Sequence, residues 1–225
     1  MKRVSPSEHD YPAAPDETSV AQVERAQLCD LFEQVGPHAP TLCRGWETHH
    51  LAAHLVVREG TPLGILKSMA RGSGDADVER LAGERDFASL VDEIRGGPPR
   101  LSLFGTGLTD KAFNGLEFLV HHEDVRRAQA GFDLRDLPAW ARDEVWSALS
   151  LALPGLMRKA PVGVALRRSD TGELKVASKK PKAVVVAGLP AELALFAFGR
   201  GSVADVSLDG NPADVKTLAS AHFGF

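Results

Sequence analysis

Along the N-terminal part of the chain, apolar residues return at steps of three and four, the spacing that gathers them on one face of an α-helix. Val23, Ala26, Leu28, Leu31 and Phe32 follow it, and Ser19 with Gln22 ahead of them has the form of a capping box. Gly36-Pro37 ends this first helix. A second helix is predicted from about Trp46 to Gly60-Thr61-Pro62, and a short one over residues 63–70. Gly72-Ser73-Gly74 reads as a loop. Val78, Leu81, Phe87, Leu90, Val91 and Ile94 then predict one amphipathic helix over 78–94 that tolerates Gly83, and Gly96-Gly97-Pro98-Pro99 breaks it. Residues 100–107 are irregular. A long helix is expected over 108–130, its core-facing stripe marked by Phe113, Leu116, Val120 and Ala128. Asp136 before Leu137-Pro138 predicts the cap of a further helix that reaches about Arg158 and bends at Pro154-Gly155.

The pattern changes after Ala160. Residues 162–168, 174–178 and 183–187 are short β-prone runs, separated by Asp170-Thr171-Gly172 and by the basic turn over 179–182. Pro190 opens a helix through Leu193, Leu195, Phe196 and Phe198 that Gly199 closes, and residues 203–208 form another strand. Asn211, as cap, and Pro212 start a last helix. Four main helices followed by a β-β-β-α-β-α order predict an α+β protein of two domains, a bundle over 19–158 and a small α+β domain over 160–225.

Composition narrows the partners more than the fold. The 225 residues carry a formal net charge of −4, which argues against nucleic acid or an anionic membrane as partner. No apolar run approaches the ~20 residues that span a bilayer, and Met1-Lys2-Arg3-Val4-Ser5-Pro6 lacks the apolar segment of a secretory signal. Residues 1–18, rich in Pro, Ser and acidic groups, read as a disordered tail. Two cysteines, Cys29 and Cys43, make neither a disulfide framework nor a metal-binding pair, so a reducing cytoplasm is the expected setting. Gly72-x-Gly74 and Gly105-x-Gly107 follow no strand and argue no nucleotide site.

Chemistry concentrates in Glu117-Phe118-Leu119-Val120-His121-His122-Glu123-Asp124. Residues four apart on a helix differ by about 40° around the axis and about 6 Å along it, so Glu117 and His121 point the same way, on the core-facing stripe. Burying both unpaired is costly. A shared metal ion would explain the pair; an arginine satisfying them is the alternative. A third ligand is sought on the second helix, where His54 stands with Leu51, Leu55 and Arg58. Two imidazoles and a carboxylate would leave coordination positions open for water or substrate. Asp124 would orient a ligating histidine, or pair with Arg127 or Arg58. His122, turned about 100° from His121, faces elsewhere. His50, four before His54, is a further candidate. Cys29 is expected inside the first helix's packing, and Cys43 is either a small buried residue or a reactive thiol.

Cys43-Arg44-Gly45-Trp46 with Leu51-Ala52-Ala53-His54-Leu55, followed by Glu117-x-x-x-His121-His122-x-Asp124, resembles the metal-binding domain of mycothiol-dependent maleylpyruvate isomerases, within the wider DinB-like four-helix bundles. Similarity is greatest to an actinobacterial branch of unassigned substrate. The resemblance implies a DinB-like four-helix bundle followed by a sterol-carrier-like domain, with His54, Glu117 and His121 as metal ligands. That ligand set suits zinc; the resemblance further implies mycothiol as cosubstrate, and it places Arg200 in a recurrent Gly-Arg of the second domain that would hold an anionic substrate, a surface arginine at a helix end being the alternative. The expected activity is a metal- and thiol-dependent transferase or isomerase acting on a small electrophile. A non-catalytic metal-binding or small-molecule-binding protein and a metal-dependent hydrolase are the alternatives.

Overall fold

A computed structural model describes residues 11–12, 18–60, 74–97 and 114–221. The fold is α+β, and the chain divides into two compact units between Asp136 and Leu137. The boundary expected at 158–160 lies inside the second unit.

The first unit is helical. Its described helices are α1 (Val20–Val35), α2 (Thr48–Gly60), α3 (Gly74–Glu84), α4 (Phe87–Gly96) and α5 (Gly115–Arg126). Ser19 and Gln22 form the expected capping box at the start of α1, and Gly36, at φ +79°, closes it in a conformation costly for a residue with a Cβ. The single helix expected over 78–94 is two, because the chain breaks at Arg85-Asp86 and the Asp86 carboxylate caps α4 by accepting from Ser89 N at 2.9 Å. An N-cap of this kind stabilises by about 1 kcal/mol, and period alone does not see it. The 63–70 helix and the irregular 100–107 segment fall outside the described residues. Helix α1 packs on α4 and α5, and α2 on α3 and α4. Leu28, Phe32, Leu51, Leu55, Leu90, Ile94 and Phe118 form the buried centre of this packing. Cys29 lies within it, and burial pushes its thiol up to about 12.

Charges are also taken into this interior, always in partnership. Arg25 of α1 donates to Glu59 Oε2 at 2.6 Å and to Ile94 O at 2.9 Å, with its guanidinium 4.2 Å from the Phe118 ring centroid. Glu24 accepts from His122 Nδ1 at 2.7 Å and from Arg135 Nη1 at 3.0 Å, and Arg135 also reaches Glu123 at 2.7 Å. Tyr11, within the stretch expected to be disordered, donates its hydroxyl to Glu24.

The second unit holds α6 (Ala139–Leu156), β1 (Gly163–Arg168), β2 (Leu174–Ser178), β3 (Ala183–Gly188), α7 (Pro190–Ala197), β4 (Ser207–Asp209) and α8 (Pro212–Ala219). Pro138, not Asp136, occupies the cap position of α6, and no side chain caps it. The sheet order is β2-β1-β3-β4, with β1 and β3 parallel and both outer pairs antiparallel. The basic turn over 179–182 therefore joins strands that are not neighbours in the sheet. Gly163 permits this crossing, since a Cβ there would lie 2.2 Å from Lys180 O. Helix α6 packs on α7 and β2, and α7 on β1 and β3. The strand expected over 203–208 is only Ser207–Asp209, because Val203 and Ala204 bond back to Arg200 O in a turn. Among the described residues, no helix is long and apolar enough to cross a membrane.

Candidate metal centre

Helix α5 ends at Arg126, so Ala128 lies in the turn beyond it, and the helix is buried nearly all round instead of along one stripe. Such a helix must satisfy every polar side chain locally. Glu117 and His121, one turn apart, do so together: His121 Nε2 lies 3.2 Å from Glu117 Oε1.

His54 reaches the same oxygen from α2. Thr48 Oγ1 and N bond to Gly36 O and Ala39 O, which anchors the start of α2 to the chain leaving α1. Leu51, Ala52, Ala53 and Leu55 are buried around His54, and the Trp46 indole lies against its ring with centroids 5.2 Å apart. The imidazole meets that of His121 edge-on, also at 5.2 Å, and its Nε2 is 3.6 Å from Glu117 Oε1. One donor atom from each of His54, Glu117 and His121 lies within 4.8 Å of the others. Donors bonded at about 2.0 Å to a tetrahedral zinc are about 3.3 Å apart, so the spacing suits one small cation. The side chains of His54 and Glu117 are 28% and 21% exposed, against 9% for His121, so the cluster is open on the His54 side.

Protonation favours coordination at two of the three donors and opposes it at the third. Burial opposes charge on Glu117, but Arg58 and the two imidazoles overcome it and hold the carboxyl well below its usual range. Burial lowers His54, keeping its lone pair available for coordination. Burial also opposes charge on His121, but Asp124, Cys43 and Glu117 outweigh it and raise that imidazole well above its usual range. Asp124, itself buried, accepts from His121 Nδ1 at 3.0 Å, which directs Nε2 and its lone pair toward Glu117. A positive group between Nε2 and the carboxylate is then required, and a proton or a metal ion can supply it.

The arginine considered from sequence is present as a neighbour of this cluster. Arg58 Nε lies 3.4 Å from Glu117 Oε1, while Asn114 Oδ1 draws its Nη1 away at 2.6 Å. Asp124 holds the His121 ring, and Arg127 donates to Glu123 at 2.6 Å. His122 turns to Glu24 as the helix rotation requires, and His50 faces Glu79 at 3.7 Å, so neither joins the cluster. Arg200 belongs to the second unit and donates to Phe198 O at 2.7 Å. Sequence reasoning gave Asn114 no place and named Trp46 only within the Cys43-Arg44-Gly45-Trp46 motif and as a helix start. Asn114 stands one helical step before Glu117, the one signal that could have drawn attention to it.

Fold and cluster together describe an α+β protein with three grouped donor atoms that could hold a metal ion. Two solved structures share the fold. A mutant form of mycothiol-dependent maleylpyruvate isomerase superposes with a TM-score of 0.54 at 15% identity, covering 85% of this chain and 91% of that one. The mycothiol-dependent maleylpyruvate isomerase itself gives 0.50 at 16% identity with the same coverage. No protein-family model and no curated sequence matches the chain.

Proposed function

We propose that His54, Glu117 and His121 hold a divalent metal ion, zinc by the character of the donors, and that the protein is a mycothiol-dependent transferase or isomerase acting on a small electrophile. The observation that carries the metal assignment is the convergence of three ligand atoms from two helices within 4.8 Å. The thiol assignment rests on the fold shared with mycothiol-dependent maleylpyruvate isomerase. On this reading the first unit is the DinB-like bundle and the strands of the second belong to a sterol-carrier-like domain.

A bound divalent ion supplies the charge that keeps a coordinated thiol deprotonated at neutral pH. The chain's own residues do the rest. Asp124 holds the Nδ1–H of His121 and so fixes its tautomer. Arg58, anchored by Asn114, sets a fixed positive charge beside the open face, where it can meet an anionic substrate group. Within the second unit, Arg200 is proposed as an anion-binding group on the family's Gly-Arg pattern alone. The Trp46 indole packs against one face of His54 and limits the directions that ring can take.

Elemental analysis of the purified protein beside His54→Ala and His121→Ala tests the ligand set. Loss of at least one metal equivalent is expected in each variant, and unchanged content in both would refute it. Conjugation of a generic electrophile by mycothiol, with and without protein, tests the activity. Acceleration that disappears with His54→Ala supports the thiol-dependent enzyme. Metal without acceleration identifies a binding protein, and turnover without thiol a hydrolase; either outcome overturns the thiol reading.

A further inference from the structure

His121 has a second nitrogen, and its surroundings differ chemically from those of the first. Cys43 Sγ lies 3.2 Å from Asp124 Oδ2 and 3.8 Å from His121 Nδ1, and the same Asp124 oxygen is 3.0 Å from Nδ1. Around a tetrahedral zinc with Zn–S of about 2.3 Å and Zn–N or Zn–O of about 2.0 Å, such donors stand about 3.3–3.6 Å apart. All three measured separations fall within a few tenths of an ångström of that. One donor atom from each of Cys43, His121 and Asp124 meets the same mutual distance limit as the His54 cluster.

We propose that Cys43, Asp124 and Nδ1 of His121 form a second cation position, suited to a thiophilic ion, beside the one assigned to His54, Glu117 and the Nε2 of His121. The loop that carries Cys43 is fastened to α5. Leu42 N donates to Asp124 O at 3.0 Å, and Gln129 Nε2 donates to Pro40 O at 3.0 Å. Within the loop, Thr41 Oγ1 accepts from Cys43 N at 3.1 Å and donates to Trp46 O at 2.7 Å, while Gly45 takes φ +82°. The sulfur is thus held against the imidazole by backbone contacts on both sides, which lowers the entropy cost of coordination. Asp124 is fully buried and Cys43 half-buried, so a cation can approach from the Cys43 side and meet a carboxylate already stripped of water. Sulfur favours softer ions such as Cd²⁺, Zn²⁺ or Co²⁺ over Mg²⁺ or Ca²⁺. On coordination the Cys43 thiol and His121 Nδ1 each release their proton to solvent as the metal–sulfur and metal–nitrogen bonds form, and Asp124 exchanges its hydrogen bond from Nδ1 for the cation. The two nitrogens belong to one ring, so the imidazole serves either position.

Cobalt substitution of the full-length protein, with no added thiol, reads this directly, because only sulfur ligation gives an intense near-ultraviolet charge-transfer band. The band is expected in the wild type, in His54→Ala and in Cys29→Ala, and is expected to vanish in Cys43→Ser with the helical circular dichroism unchanged. No band in the wild type at saturating Co²⁺ would overturn the proposal. So would a band that survives Cys43→Ser, which would place the sulfur ligand elsewhere, or one lost in His54→Ala, which would make the two positions one. Cobalt retained by Cys43→Ser without the band, and lost on adding His54→Ala, keeps the His54 site whatever becomes of the second.

Discussion

Replacing Asp124 by Asn should weaken the first cation equivalent by about tenfold to a hundredfold, the range for residues that orient a metal-bound histidine. The wild-type carboxylate is fully buried and accepts from His121 Nδ1 at 3.0 Å. If the amide presents its oxygen, a charge-assisted hydrogen bond becomes a neutral one. That difference is about 1–2 kcal/mol, or roughly tenfold in affinity. If the amide presents its NH2, Nδ1 must become the acceptor and the ring proton moves to Nε2. The lone pair that should face Glu117 and the cation is then occupied, which sets the upper end of the range. Competition against a chromophoric chelator at neutral pH measures the affinity, and nitrogen NMR of the His121 ring distinguishes the tautomers. An affinity within about twofold of wild type, with the helical content intact, would refute the orienting role.

Three further outcomes are expected. Arg58→Met removes the cation 3.4 Å from Glu117 Oε1, so metal affinity should rise by about tenfold or more, read by the same chelator competition; an unchanged or lower affinity would deny that the guanidinium competes for the carboxylate. Burial opposes ionisation of Glu24, yet Arg135 and His122 lower its carboxyl from 4.5 to about 2. Because the folded value is the depressed one, its stabilisation is present above pH 4.5 and is lost as the pH falls toward 2. It is worth on the order of 3 kcal/mol. Urea unfolding should show Glu24→Gln less stable at neutral pH and less sensitive to acid than wild type, and an acid limb of equal steepness would contradict this. Gly163→Ala would put a methyl 2.2 Å from Lys180 O, costing about 1–3 kcal/mol; thermal unfolding at the wild-type midpoint would show that crossing to be unimportant.

Local order was legible in the chain. The four-residue step between Glu117 and His121 is covalent geometry, so their shared direction follows wherever a helix forms there, and the structure places their polar atoms 3.2 Å apart. The Ser19–Gln22 box, the Asn211 cap and the first three β-prone runs are equally short-range, and the elements they mark lie where the pattern put them or within a few residues. Motif resemblance nominated His54, but its 3.6 Å approach to Glu117 depends on the α2 start being tied to Gly36 and Ala39. Packing between distant segments made the other decisions. It set Arg58 between Glu117 and Asn114, carried Cys43 to Asp124 across 81 residues, turned His122 to Glu24 and laid β3 parallel to β1. Periodicity records which face of an element is apolar and nothing about which neighbour covers it. A side chain's partner, and with it the protonation that decides whether it can hold a cation, is fixed only when the elements close on one another.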